Sequence, residues 1–211
     1  MKLEAQLASP ADLEKAKTIY GADKGDLCAP LLRAAWPETE ANAQARAEWS
    51  CQQQKEYLEN DPTCRFIKVV DRDADDEMIA FGRWHRYPDG PGMTHLNLEY
   101  AGLKDRDDPA AFPPEFGKAL YCDFLDKVLA DRPDWMDRGL CWVLTTIQTR
   151  APFRGNGAAG LILQWGLEQA AKDGVPAFLE AGEKAVGLYK KHGFKVVKVE
   201  EFDWSSYGQP G

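Results

Sequence analysis

The stretch Thr149-Arg150-Ala151-Pro152-Phe153-Arg154-Gly155-Asn156-Gly157-Ala158-Ala159-Gly160 decides how the rest of this chain reads. It follows Leu140–Thr149, an apolar run that predicts a strand. It precedes a predicted helix reaching Lys172, where Asp173-Gly174 supplies a stop. A strand, a glycine-rich bend and a helix start, in that order, gather free backbone N–H groups at the positive end of a helix dipole. Glycines in such a bend let a phosphate approach the backbone closely. The plainer reading is a tight turn that binds nothing.

Working outward, a strand is expected at Ala177–Ala181, a short helix at Lys184–His192 and a strand at Phe194–Phe202. The helix Gly157–Lys172 carries Ala158, Leu161, Ile162, Leu163, Trp165 and Leu167 around its circumference, which predicts burial between layers. Upstream, Phe116, Leu120, Phe124, Val128 and Leu129 recur at helical spacing over Glu115–Asp131. Pro88–Pro114 is rich in proline, glycine and aspartate and reads mostly as loop. Arg65–Asp71 and Glu77–Tyr87 form two strand patterns around the acidic turn Arg72–Asp76, an antiparallel hairpin. Pro37–Asn60 reads as a long helix closed by Asn60-Asp61-Pro62. Residues 3–8 suggest an opening strand, and Ser9-Pro10-Ala11-Asp12 a helix start. The balance is α+β with mixed sheet pairing, in one domain over 1–211.

Two phosphate-binding readings compete for the bend. Gly155-x-Gly157-x-x-Gly160 spells the dinucleotide fingerprint, with Glu180 where a ribose-binding acid would stand. Against it, Arg150, Pro152 and Arg154 separate the glycines from their strand. Too little chain follows Gly160, and no strand–helix series precedes it, to supply a second half. A P-loop fails outright, because Leu161-Ile162 stands where Lys-Ser/Thr is needed.

Arg154-x-x-Gly157-x-Ala159 also resembles the signature [Gln/Arg]-x-x-Gly-x-[Gly/Ala] of the GNAT superfamily of acyl-CoA-dependent N-acyltransferases. Leu188-Tyr189-Lys190-Lys191-His192-Gly193-Phe194 looks like that superfamily's second hallmark, Leu-Tyr-x-x-x-Gly-Phe. Trp165–Glu180 is similar to its fungal branch. The resemblance is specific over Leu140–Phe202 and looser over Asp61–Trp84; Pro88–Arg138 and much of 25–60 match no motif.

The resemblance implies a central, mostly antiparallel twisted sheet with helices on both faces. It also implies a V-shaped cofactor cleft between the Leu140–Thr149 and Ala177–Ala181 strands. The pyrophosphate of acetyl-CoA would lie on the backbone amides of Gly155, Asn156, Gly157, Ala158 and Ala159, with Arg154 adding charge. The pantetheine arm would pair with the exposed backbone of Ile147, Gln148 and Thr149, as an added strand does at a sheet edge. Tyr189 would give the departing thiolate its proton; a phenol titrating near ~10 is protonated at neutral pH. Its alternative role is packing beside Phe194. Glu180 is a candidate base, with Glu99 and His85 behind it, each also readable as an ion-paired or surface group. Many family members place Asn, and some Ser, at a cofactor-contacting position upstream of the tyrosine; here it is Gly182, which offers backbone alone.

Composition bounds the rest. The chain has 211 residues, 44% hydrophobic and 28% charged, with net charge −8. Acidity argues against a nucleic-acid partner and fits a small-molecule or peptide amine, as well as simple solubility. No apolar run reaches membrane-spanning length, and Met1–Gln6 does not read as a secretory leader. Five scattered cysteines without a CxxC pair suit a reducing, cytoplasmic location, and the three histidines lack metal-ligand spacing. Trp36, Trp49, Trp135 and Trp204 could border the acceptor, whereas Trp84, Trp142 and Trp165 suit the core. The sequence predicts a monomer or homodimer acting as an N-acetyltransferase. The alternatives are a catalytically weak or dead CoA-binding regulatory module and a nucleotide-dependent oxidoreductase.

Overall fold

The computed structural model describes residues 1–13, 31, 34–90, 107, 112–136 and 139–207. The expectations on Glu99, Cys28, the Trp135 side chain, most of the Pro88–Pro114 loop and the helix beyond Leu13 lie outside the described residues. The elements are β1 (Leu3–Leu7), α1 (Ala43–Asn60), β2 (Cys64–Asp71), β3 (Glu77–Tyr87), α2 (Lys118–Trp135), β4 (Cys141–Thr149), α3 (Ala158–Asp173), β5 (Ala177–Leu179) and α4 (Val186–Lys191). One sheet runs β1-β2-β3-β4-β5 in space. Its first four strands are antiparallel neighbours, and β5 joins β4 in parallel.

Alternation along β3 sorts the two faces. Gly82 and Trp84 meet α3, while Arg83 reaches α1, where its guanidinium lies 3.9 Å from the Tyr57 ring centre and donates to Gln54. Helices therefore cover both faces. Ile67, Val69, Ile79, Ala80 and Trp84 of the sheet pack with Ile162 and Leu163 of α3 in the main core. A second, aromatic cluster joins Trp36 and Phe112 to Phe116, Leu120, Tyr121 and Leu125 at α2.

Close packing fixes α3. A Cβ on Gly82 would stand 2.5 Å from Ile162 Cγ2, and one on Gly166 would stand 2.1 Å from Trp84 Cε2. Only glycine lets helix and strand approach so closely. Trp84 Nε1 donates to the Ile162 carbonyl at 3.1 Å, so the buried indole N–H is satisfied. At the other end Asp173 accepts from Trp142 Nε1 of β4 at 2.9 Å and from Arg86 Nε of β3 at 2.8 Å. The helix is thus pinned along its length, which aims its N-terminus at the end of β4.

Four expectations are corrected. Helix α1 begins at Ala43, not Pro37. The Thr39 N–H donates to Asn42 Oδ1 at 2.8 Å and the Asn42 N–H to Thr39 Oγ1 at 3.2 Å, local bonds that hold a turn ahead of the helix. Helix α3 is not buried all round: Ala158, Ile162, Leu163, Gly166 and Ala170 line its buried face, while Gln164 and Glu168 face solvent. Strand β5 stops at Leu179, which leaves Glu180 just beyond it. Phe194–Phe202 forms no strand. Its start is held by the Phe194 N–H on the Tyr189 carbonyl at 3.2 Å, and its end by Phe202 on Phe124 at 5.2 Å. Stretched between two clusters, it does not follow the short edge of β5.

Candidate active site

Strand β4 is paired on both sides only at its start. Trp142, Val143 and Leu144 partner Ala177, Phe178 and Leu179 of β5, and there the pairing ends. Ile147, Gln148 and Thr149 continue against Gly82, Phe81 and Ala80 of β3. On the β5 side, Thr145–Thr149 have no strand partner among the described residues. A β-bulge falls at this split: Arg83 opposes Thr146 and Trp84 opposes Leu144, leaving Thr145 as the extra residue. Thr145 Oγ1 accepts from Arg83 Nε at 2.8 Å, so the bulge is held by a buried guanidinium.

The unpaired edge leads into the bend. Ala151–Phe153 forms a single 3-10 turn, and α3 begins at Ala158. Gly155 and Gly157 adopt φ of +81° and +88°, and a Cβ at either would meet nothing within 4 Å. Glycine is needed there for backbone conformation, and the space outside the bend is open. Asn156 Nδ2 donates to the Phe153 carbonyl at 3.1 Å and Arg154 Nε to the Thr149 carbonyl at 3.2 Å, which brace the bend from within. Among the described residues, the backbone N–H groups from Gly155 to Ala159 donate to no protein carbonyl, and no side chain caps α3. These donors lie at the N-terminal end of a 16-residue helix, where the helix dipole is positive and an anion is favoured.

The remaining predicted residues separate. Tyr189, on α4, is buried in the cluster that also holds Ala158 and Ile162 of α3. Its ring meets Phe194 edge-on at 6.1 Å and 77°. Gly182 precedes a 3-10 turn at Glu183–Ala185 in an extended conformation. Glu180 forms a bidentate ion pair with the fully buried Arg132 of α2, at 2.5 Å and 2.8 Å. Both its oxygens are engaged, which fits a structural clamp rather than a base.

His85 lies within the sheet, not at the split. Its Nδ1 is 3.1 Å from Asp61 Oδ2 and 3.0 Å from Thr63 Oγ1. Burial alone would raise the Asp61 carboxyl, but hydrogen bonds from His85 and Thr63 and the His85 charge outweigh it, holding the group at about 2. Cys64, opposite His85 in the hairpin, has its thiol pushed up to about 12, chiefly by burial, and is no thiolate nucleophile. A cavity of about 520 Å³ near Leu7, Leu58, Asp61 and Phe66 lies at the far, β1–β2 side of the sheet.

Trp36 and Trp49 pack with Phe116, and Trp204 stacks on Phe124 at 5.5 Å, so these rings serve the α2 cluster. Sequence reasoning missed Arg83, Thr145 and Arg132. Arg83 and Arg132 are cations inside apolar patterns, a signal that a partner exists but not which one. No described helix is long and apolar enough to cross a membrane, and no group of three His, Cys, Asp or Glu gathers among the described residues.

The described elements form a mixed sheet whose β4–β5 pair splits beside a glycine-rich helix start. Residues 119–194 match the Acetyltransferase (GNAT) family. The chain is similar in structure to histone acetyltransferase HPA2 and related acetyltransferase from Corynebacterium glutamicum (22% identity, TM-score 0.58, covering 96% of this chain and 90% of that one). It is similar also to a transcriptional regulator from Bacillus halodurans (13% identity, TM-score 0.55, covering 96% and 99%). A third likeness is to glucosamine-6-phosphate N-acetyltransferase from Arabidopsis thaliana (8% identity, TM-score 0.52, covering 96% and 98%). No curated protein matches the sequence. The chain shares its fold with these proteins, and the family match lies over residues 119–194 of it.

Proposed function

We propose that this chain is an N-acetyltransferase that moves an acetyl group from acetyl-CoA directly to the primary amine of a small molecule or peptide. One observation carries the reading: among the described residues the N–H groups of Gly155–Ala159 donate to no carbonyl, at a bend beside a strand edge with no strand partner. Those amides and Arg154 would hold the pyrophosphate, and the free side of Ile147, Gln148 and Thr149 would pair with the pantetheine amides. Gly182 would contribute backbone alone. Acetyl-CoA supplies the activated thioester.

In the reaction an amine nitrogen bonds to the acyl carbon and the carbon–sulfur bond breaks. The attacking nitrogen releases a proton to water, the thiolate gains one from the general acid, and water returns a proton to that acid. Tyr189, which shares a core cluster with Ala158 of α3, would donate the thiolate's proton. Glu180, engaged by Arg132, positions the end of β5, and the amine enters neutral without a protein base. The acidic chain favours a cationic acceptor in bulk, and four buried free cysteines, Cys51, Cys64, Cys122 and Cys141, favour the reducing cytoplasm. The likeness of Trp165–Glu180 to the fungal branch belongs to the same reading.

The test is titration with acetyl-CoA and with NADH, followed by thermal shift, and then turnover on an amine panel read by thiol release. Stabilisation by acetyl-CoA alone, with turnover, is expected. Binding without thiol release would favour the second reading, a CoA-binding module; the loss of Glu180 to an ion pair and the glycine at 182 speak for it. A dinucleotide oxidoreductase lacks support, because the antiparallel run β1–β4 leaves no parallel strand series to build its second half.

A further inference from the structure

Arg83 is 3% exposed within β3, a cation sealed into one face of the sheet. An apolar residue would fill such a place without taking a charge out of water. What the guanidinium adds is direction, because its planar fork aims N–H groups along fixed lines. Nε donates to Thr145 Oγ1 at 2.8 Å, and the same hydroxyl donates back to the Arg83 carbonyl at 3.3 Å. Nη1 donates to Gln54 Oε1 at 3.1 Å, and the guanidinium carbon lies 3.9 Å from the Tyr57 ring centre. Gln54 and Tyr57 are three positions apart on α1, so they share a helix face. One plane thus joins the bulge of β4 to the helix on the side of the sheet opposite α3.

The bulge stands where β4 loses its second strand partner. Leu144 is the last residue of β4 paired with β5, and Thr145, the next, is the extra residue of the bulge. A bulge bends its strand, so the orientation of Thr145 sets the line taken by Thr146–Thr149. We propose that Arg83 is a positioning residue for acyl transfer. It ties the Thr145 bulge to Gln54 and Tyr57, so that the seating of α1 sets how the β4 edge presents the thioester. This rests on the reading of the chain as an acetyltransferase. Arg83 acts through Thr145 rather than on the substrates. Transfer is sensitive to displacements of about 1 Å at the reacting atoms. The pyrophosphate, held at the bend, does not depend on the tie. Breaking it therefore lowers kcat and spares acetyl-CoA affinity.

Thr145→Val keeps the shape of the side chain and removes its hydroxyl, and Gln54→Leu removes the acceptor on α1. Each should lower kcat by about tenfold, with acetyl-CoA affinity by titration within about threefold of the parent. The double variant should be no worse than either single, because both cut one link. Gln54→Glu keeps an acceptor for Nη1 and should retain kcat within about threefold. A core-filling role alone would lower the melting temperature of these variants and leave kcat per folded molecule unchanged, which overturns the proposal. So does a double variant whose loss is the product of the two singles. The amide NMR spectrum gives a readout independent of turnover. Gln54→Leu should move the Thr145–Thr149 resonances in the parent and leave them in place in an Arg83→Met background. Unmoved resonances in the parent also overturn the link. A parent that turns over no acetyl-CoA removes the proposed function instead, and the resonances then decide alone whether Arg83 links α1 to β4.

Discussion

A Cβ on Gly166 would stand 2.1 Å from Trp84 Cε2, so the backbone of α3 lies directly on the indole of β3. With the Trp84 bond to Ile162, this contact sets the height at which the helix crosses the sheet. It therefore sets where the free N–H groups of the bend point. A structural glycine remote from the bend acts on the site through rigid packing.

Gly166→Ala should destabilise the protein by about 3 kcal/mol, since neither the ring nor the helix backbone can yield cheaply. Urea denaturation measures it. Trp84→Phe in the same background should recover part of the loss; no recovery would place the strain elsewhere.

Gly157→Val should lower acetyl-CoA affinity by at least about tenfold, because φ of +88° is unfavourable for a branched residue and the side chain would enter the open space beside the free amides. Gly174→Ala is the control. It lies at the other end of α3 with φ of +69° and equal room, so it should cost similar stability and leave affinity unchanged. Isothermal titration separates the two effects.

Tyr189→Phe should keep acetyl-CoA affinity and reduce kcat by about a hundredfold, the scale of a lost general acid. Unchanged kcat would leave Tyr189 its packing against Phe194 alone.

Glu180→Gln should destabilise the fold by about 3 kcal/mol, as the buried Arg132 loses its bidentate partner. Turnover per folded molecule should stay within about threefold. A collapse of kcat with intact folding would return Glu180 to the role of base.

Acid should act through Asp61. Its carboxyl is held at about 2 in the folded chain, against an ordinary value of 3.8. A depressed carboxylate contributes stability that is fully present above its unfolded value and is lost as pH falls through the folded one. The window is therefore pH 4 down to 2, and the loss is about 2 kcal/mol. Asp61→Asn should be less stable at neutral pH and should flatten that limb of the stability–pH curve. An unchanged limb would refute the assignment.

The hairpin, the bend and the α3 start were legible because each is written by neighbouring residues: alternation over Glu77–Tyr87, glycines at 155 and 157, and a stop at Gly174. The short helix around Leu188-Tyr189 was legible for the same reason. Burial on one face of α3 was not legible, since an apolar residue such as Leu161 reads alike whether it ends half or fully covered. Strand propensity at 194–202 misled, because a strand needs a partner and the anchors at both ends withhold one.

The sequence by itself determined the local conformations of the glycine bend and the helix start after it, because turns and helix starts depend on residues a few positions apart. Only the tertiary structure decided that β4 parts from β5 after Leu144, that Arg132 takes Glu180, and that three valines stand in solvent. Those outcomes are pairings between residues distant in the chain, and they are fixed by which surfaces the packed sheet brings together.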